Sequence, residues 1–376
     1  MSNSSKVSLF GLEKQAELLG QDLSEITKHI LHSASYIRGP ETLKFEEAFS
    51  KFVGSGSGIS VGNGSDAIFI ALRALNIGPG DEVIVPNLTF IATWLAALNT
   101  GAKVVGVDVE DDGLLSIPKT LQAVNHKTKC IIPVHLYGKM VDVKSLRSKL
   151  GQNINIVEDA AQAHESFLPD QRMGDYSEAV AFSFYPTKTI GCFGDGGFIY
   201  SKREMLIGSC KKIANYGASI KYNHDVVGYN SRLDELQAAY LNQKLQYVDD
   251  WVGKRRVIAQ KLSSVCDGKI LRPVSGYCFD GHAVHLLVLE VENKNELIEN
   301  LNTNGFDYGF HYPIIPIKQT CFQGDIIAHE QVLSTGHHNA LKLSQTIITI
   351  PCHQFMSSKE VAILYNILKS HVEKFS

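Results

Sequence analysis

The ten residues Ala179-Val180-Ala181-Phe182-Ser183-Phe184-Tyr185-Pro186-Thr187-Lys188 decide the fold. Residues 179–184 are apolar on both faces except at Ser183, the pattern of a strand covered on both sides. Pro186 breaks the run, and Lys188 stands just beyond the strand's carboxyl end. Working outward, residues 83–85, 103–107, 130–134, 154–157 and 197–200 share this short, apolar character. They alternate with helical patterns. Such alternation predicts an α/β fold, a large domain with a mostly parallel sheet under helices. Ser65 and Asp66 are N-cap candidates for a helix over 67–75, ended by Gly78-Pro79-Gly80.

After Asn230 the pattern changes. Residues 233–252 run on into 254–262 as one long helical stretch, the usual form of an interdomain connector. Beyond it, 284–291 and 346–350 read as strands, and 295–302 and 358–375 as helices. The boundary falls near residue 250. Residues 1–250 form the large domain with an N-terminal helical segment, and 251–376 a smaller α+β domain.

Bulk properties narrow the partners. The 376 residues are 44% hydrophobic with a formal net charge of -3, enough for a sizeable core and no electrostatic reason to meet nucleic acid or an anionic membrane. Apolar runs such as 131–134 and 180–184 are too short to span a bilayer, and residues 1–5 lack the apolar core of a secretion signal. Seven cysteines without a C-x-x-C pair point to neither a disulfide framework nor a zinc ribbon, so a reducing cytoplasm is expected. His29 and His32 share a helix face and His337-His338 are adjacent, but neither pair has a third ligand nearby, so no metal is expected. Lys254-Arg255-Arg256 reads as a solvated helix face, and Cys192 as a plain loop thiol.

In open α/β sheets ligands sit beyond the carboxyl ends of the strands. Three polar groups occupy such ends: Asp159 with Gln162 after 154–157, Lys188 after 179–184, and Gly62-Asn63-Gly64-Ser65-Asp66 after Val61. Pyridoxal 5'-phosphate (PLP) needs parts of this kind. An acid beside the pyridine nitrogen keeps it protonated, and Asp159 is the candidate. A lysine must reach the aldehyde carbon as an imine and later carry protons, and Lys188 is the candidate. The phosphate needs backbone N–H groups at a helix N-terminus, from Gly64, Ser65 and Asp66, and a hydroxyl, from Ser183. Each part alone has a plainer reading. An Asp at a strand end also serves as a cap or metal ligand, and most lysines are solvated charges. GNGSDA also fits a relaxed dinucleotide fingerprint. That reading needs an acid ending the next strand, and Asp81-Glu82 stand at that strand's wrong end.

At these residues the sequence resembles the DegT/DnrJ/EryC1/StrS family of nucleotide-sugar aminotransferases. The matching stretches are Gly39-Pro40-Glu41 with Phe45-Glu46, GNGSDA (62–67), GDEVIVPNLTFIAT (80–93), PVHLYG (133–138), EDAAQAH (158–164), FSFYPTK (182–188), GDGG (194–197), GYNSRLDELQAA (228–239), HYP (311–313) and 343–351. The resemblance implies a fold type I, aspartate aminotransferase-like PLP enzyme. It implies that Asp159 pairs with the pyridine nitrogen, Gln162 bonds the ring hydroxyl and Phe90 stacks on the ring. It also implies that Gly64, Ser65 and Ser183 hold the phosphate, with Asn230 arriving from the neighbouring subunit of an obligate homodimer with shared active sites. Residue by residue the bland readings are a core aromatic for Phe90 and a helix cap for Asn230. Tyr185, His311 and Tyr312 resemble sugar-side residues.

The implied reaction moves an amino group from an amino acid, L-glutamate, to a nucleotide-linked keto-6-deoxyhexose, dTDP-linked and aminated at C3. Amination of a 4-keto-sugar at C4 is the alternative. Such products feed O-antigen, S-layer glycan or antibiotic sugars. A dehydratase of the same family has histidine in place of the lysine, against Lys188 here, and a non-catalytic sugar- or PLP-binding regulator is the remaining class. Residues 165–175 depart from the family's glycine-rich pattern, and are expected near the substrate entrance.

Overall fold

Strands buried on both faces build the central sheet. The computed structural model describes residues 6–151, 153–324 and 331–376; the N-terminal stretch 1–5 lies outside them. In chain order the strands are β1 (Ser57–Val61), β2 (Glu82–Pro86), β3 (Lys103–Val107), β4 (Thr128–Ile131), β5 (Asn155–Asp159), β6 (Ala179–Ser183) and β7 (Gly197–Ser201). Across the sheet they lie in the order β1-β7-β6-β5-β4-β2-β3, and Val332–Ser334 adds an edge strand beside β3. β7 runs antiparallel to both neighbours, and the other pairings are parallel. Every residue of β2, β6 and β7 is buried, as a sheet with helices on both faces requires.

Of β1 the sequence marks only the end, Val61, because residues 54–58 before it are rich in Gly and Ser. The strand forms through pairing with β7, Val61 opposite Gly197. The helix that follows spans Gly64–Ala74 and is capped by Asn63, whose Oδ1 accepts the Asp66 N–H at 2.8 Å. Ser65 and Asp66, the expected caps, therefore lie inside the first turn.

The long connector is two helices, Glu235–Leu245 and Val248–Ser263. The Tyr247 N–H turns back to the Lys244 carbonyl at 3.0 Å, and the Tyr247 ring stacks on Trp251 with centroids 5.6 Å apart. The basic cluster is also not a solvated face. Lys254 pairs with Asp250 in solvent, but Arg255 is buried and donates to Gln354 Oε1 and to the Val284 and His285 carbonyls. Arg256 pairs with Glu165 at 2.7 Å.

Leu271–Pro273, Leu287–Val291 and Ile347–Ile350 form a second, antiparallel sheet. Leu297 and Leu301 of helix Lys294–Thr303 and Leu364 and Leu368 of helix Ser358–Phe375 share its apolar core. The middle strand starts at Leu287 rather than 284, since Val284 has a positive φ of 48°. Among the described residues no helix is long and apolar enough to cross a membrane.

Candidate active site

The carboxyl edge of the sheet brings the expected groups together. β5 ends at Asp159, whose Oδ2 accepts the Thr93 hydroxyl at 2.8 Å and whose Oδ1 accepts the Ala161 N–H at 3.1 Å. Its carboxyl is buried, and burial raises its pKa against the opposing pull of Thr93, Ala161 and Lys188. β6 ends at Ser183, and Lys188 lies in the tight turn that follows. The turn is fixed by the Lys188 N–H to the Tyr185 carbonyl (2.8 Å) and the Cys192 N–H to the Phe184 carbonyl (2.7 Å). Behind it, the buried Lys244 ammonium donates to the Gly191 carbonyl.

Burial lowers the Lys188 ammonium from 10.5 to about 8, with the Asp159 carboxylate pulling the other way. A lysine held so is a usable nucleophile near neutral pH. Cys192 offers no such reactivity: it is buried among apolar side chains, and burial pushes its thiol up.

The third group is the start of helix Gly64–Ala74. A Cβ on Gly64 would stand 2.7 Å from the Ser183 Cβ, and one on Gly197 would stand 2.2 Å from the Asn63 carbonyl oxygen. Two side-chain-free positions thus let the helix N-terminus settle against Ser183. The Gly64 and Ser65 N–H groups stand in the first turn, where the helix supplies no acceptors. Asp66 departs from the expectation. Its N–H is taken by Asn63, and its carboxylate accepts the Ser231 hydroxyl. Asn230 lines the same groove, about 640 Å³, as Ser65 and Phe90 of its own chain.

Phe90 is 55% exposed, not a core aromatic, and its ring centroid lies 5.6 Å from that of Tyr312. Tyr185 is 53% exposed beside the lysine turn. Gln162 is held on both sides: its Oε1 accepts the Tyr137 N–H at 2.6 Å, and its Nε2 donates to the Tyr312 hydroxyl at 2.9 Å. The backbone donor fixes which way the amide points. His311 Nδ1 lies 2.7 Å from the Thr349 hydroxyl, and burial lowers the imidazole to about 4, keeping it neutral. Segment 165–175 is stitched elsewhere. Among the described residues its hydrogen bonds reach Gly138, Val141, Lys144, Gly281 and Arg256, and also Glu158, Ala163, Lys202 and Ala283, but not Tyr185, His311 or Tyr312.

Sequence reasoning missed Thr93, Tyr137, His164 and His285. Thr93, Tyr137 and His164 each carried a signal, in the quoted stretches 80–93, 133–138 and 158–164, and His285 carried none. His164 is wrapped by Phe49, Phe182 and Phe184, and burial lowers it to about 3. His285 is lowered well below its usual value by burial, with Lys188 adding to the effect. Among the described residues no group of three or more His, Cys, Asp or Glu is arranged to hold a metal ion.

A buried acid, an amine poised near neutrality and a helix N-terminus on one sheet edge suit a cofactor with a basic ring nitrogen, a carbonyl and a phosphate. Comparison with known proteins agrees. The chain is 39% identical over 313 residues, 82% of each chain, to a dTDP-3-amino-3,4,6-trideoxy-alpha-D-glucose transaminase of Streptomyces venezuelae. It is 32% identical over 367 residues, 95% of this chain and 98% of the other, to a UDP-2-acetamido-2-deoxy-3-oxo-D-glucuronate aminotransferase of Pseudomonas aeruginosa. The crystal structure of S. venezuelae DesV in complex with a ketimine intermediate superposes with a TM-score of 0.92 at 33% identity, covering 98% of this chain and 99% of that one. Residues 18–369 match the model of one family, and the chain belongs to it: the DegT/DnrJ/EryC1/StrS aminotransferase family.

Proposed function

We propose that this chain is a PLP-dependent aminotransferase that moves the amino group of L-glutamate to position 3 of a nucleotide-linked keto-6-deoxyhexose. The observation that carries this reading is the poised Lys188 amine beside the buried Asp159 carboxylate. PLP, when bound, supplies an electron sink for breaking and making bonds at the amino-bearing carbon. Asp159, steadied by Thr93, holds the proton of the ring nitrogen. Gln162 faces the ring hydroxyl, Phe90 covers the ring, and Gly64, Ser65 and Ser183 receive the phosphate. Lys188 would hold the cofactor carbon and, once displaced, would carry the proton between the bound substrate's carbon and that cofactor carbon in each half-reaction. Tyr185, His311 and Tyr312 line the sugar side.

Position 3 in the names of both relatives supports C3 over C4 amination. The choice of dTDP over UDP rests on the more similar of the two. Because residue 188 is lysine, it can shuttle the proton that amination requires, which sets the dehydratase reading aside.

The enzyme acts as a homodimer with shared active sites, Asn230 reaching the phosphate of the neighbouring subunit. Its support is an arm of exposed apolar side chains around the hairpin Ala218–Ile220/Asn223–His224, where Tyr222 and Val227 are 85% and 77% exposed. Such a patch marks an interface. We further assign residues 1–250 and 251–376 to separate domains, and the enzyme to the cytoplasm.

Purified protein should carry a visible band that shifts when glutamate is added, and incubation with a dTDP-3-keto-6-deoxyhexose should give a product whose nitrogen maps to C3 by NMR. Lys188→Ala should lose both. A Lys188→Ala protein that still turns over sinks the mechanism.

A further inference from the structure

Tyr137 does something no sequence argument assigned to it. Its N–H donates to Gln162 Oε1 and its hydroxyl to the His311 carbonyl, while Gln162 Nε2 donates to the Tyr312 hydroxyl. Since 311 and 312 are joined by a peptide bond, these contacts close a circuit through Tyr137, Gln162, Tyr312 and His311. It ties the end of β4 and the end of β5 to a segment far along the chain. The ring is fully buried, and the backbone sits in the left-handed region at φ 61°, ψ 0°. A bulky residue adopts that conformation only where its surroundings hold it, and such positions cluster at functional sites. Here the left-handed turn sits between two fixed bonds: the Tyr137 N–H to Gln162, and the Leu286 N–H to the Tyr137 carbonyl at 3.3 Å.

We propose that Tyr137 is a positioning residue that sets the Gln162 amide for the cofactor's ring hydroxyl and couples that setting to the sugar-side pair His311-Tyr312. The proposal rests on the assignment of Gln162 to the ring hydroxyl. A donor to that oxygen favours its anionic form, so loosening the donor raises the pH at which the bound cofactor's visible band titrates.

The test is a pH titration of that band in holoenzyme carrying Tyr137→Phe, Gln162→Ala, Tyr312→Phe or Tyr137→Phe with Gln162→Ala. Tyr137→Phe removes one oxygen and keeps the packing, and it should move the midpoint upward by about half a unit. The KM for the keto-sugar should rise on the order of tenfold. Gln162→Ala should shift the midpoint further, Tyr312→Phe in the same direction, and the double variant no further than Gln162→Ala alone. A merely structural tyrosine would lower the unfolding temperature and leave the midpoint in place. If Gln162→Ala shifts the titration while Tyr137→Phe or Tyr312→Phe leaves it unmoved, the circuit is overturned. So is it by additive shifts in the double variant. If Gln162→Ala itself leaves the midpoint unmoved, the assignment of Gln162 falls, and the role of Tyr137 with it.

Discussion

Reductive methylation of the cofactor-free protein, followed at Lys188 by peptide mass spectrometry across pH, reads the electrostatics of the site without depending on any substrate. Only the neutral amine reacts. An ordinary lysine at 10.5 is neutral in roughly one molecule in three thousand at pH 7, whereas one held at about 8 is neutral in about one in ten, a gain of roughly 300-fold. The labelling rate at Lys188 should therefore rise with pH and level off near about 8, while exposed lysines go on climbing. Asp159→Asn sharpens the test. The Asp159 carboxylate opposes the lowering caused by burial, so its loss should move the Lys188 midpoint further down. A Lys188 rate that climbs in step with surface lysines beyond roughly pH 9.5, or an Asp159→Asn midpoint that moves up, refutes the reasoning.

Gly64→Ala places a Cβ 2.7 Å from that of Ser183. Overpacking of this kind costs roughly 1–3 kcal/mol, so the dissociation constant for PLP, read by fluorescence titration, should rise on the order of tenfold. Thr93→Val removes one of the two donors to Asp159 and pushes its raised pKa higher still. With the carboxylate less able to stay ionised, the glutamate half-reaction in stopped flow should slow about tenfold, and an unchanged rate would discount the Thr93 contact. Asn63→Ala removes the cap of helix Gly64–Ala74; urea unfolding should show a loss of about 1 kcal/mol.

What could be read from the sequence was whatever local pattern dictates. β6 and β5 announce themselves because each is a short apolar run, and Lys188 and Asp159 are legible because they follow those runs directly. Of β1 only the end at Val61 was legible, because the rest of its strand character comes from β7. A Cβ on Gly58 would fall 2.1 Å from the Phe198 ring, so the glycine that dilutes the apolar pattern there is what lets the strands approach. Asn63 was passed over as the cap because glycine is a poor helix former, which moved the expected start past Gly64. Packing against Ser183 overrides that propensity. Arg255 misled for a related reason. Its helix neighbours are charged, but its partners are Gln354 and two carbonyls at 284 and 285, brought to it only by the fold. Nothing near Tyr247 in sequence breaks a helix, so the division of the connector was equally invisible.

The same distinction explains why the site is the least comfortable part of the structure. A buried carboxylate, a buried amine, two neutral imidazoles and a left-handed tyrosine sit within one sheet edge and its loops, where an apolar core would be more stable. For Lys188 the sign is definite. Its folded pKa lies below the unfolded one, so the unfolded chain binds more protons between about 8 and 10.5, and folding becomes more favourable as pH rises through that window. Below about 8 the whole unfavourable contribution, on the order of 3 kcal/mol, is present. Asp159 is shifted in the opposite direction by the same burial. Its unfavourable contribution is complete once pH exceeds its folded value. A ligand with a protonated ring nitrogen for Asp159 and a carbonyl carbon for Lys188 relieves both at once, turning the instability of the empty fold into binding energy for one kind of molecule. That is a physical reason for Asp159 and Lys188 to be kept as a pair: either one alone destabilises the fold without defining a ligand.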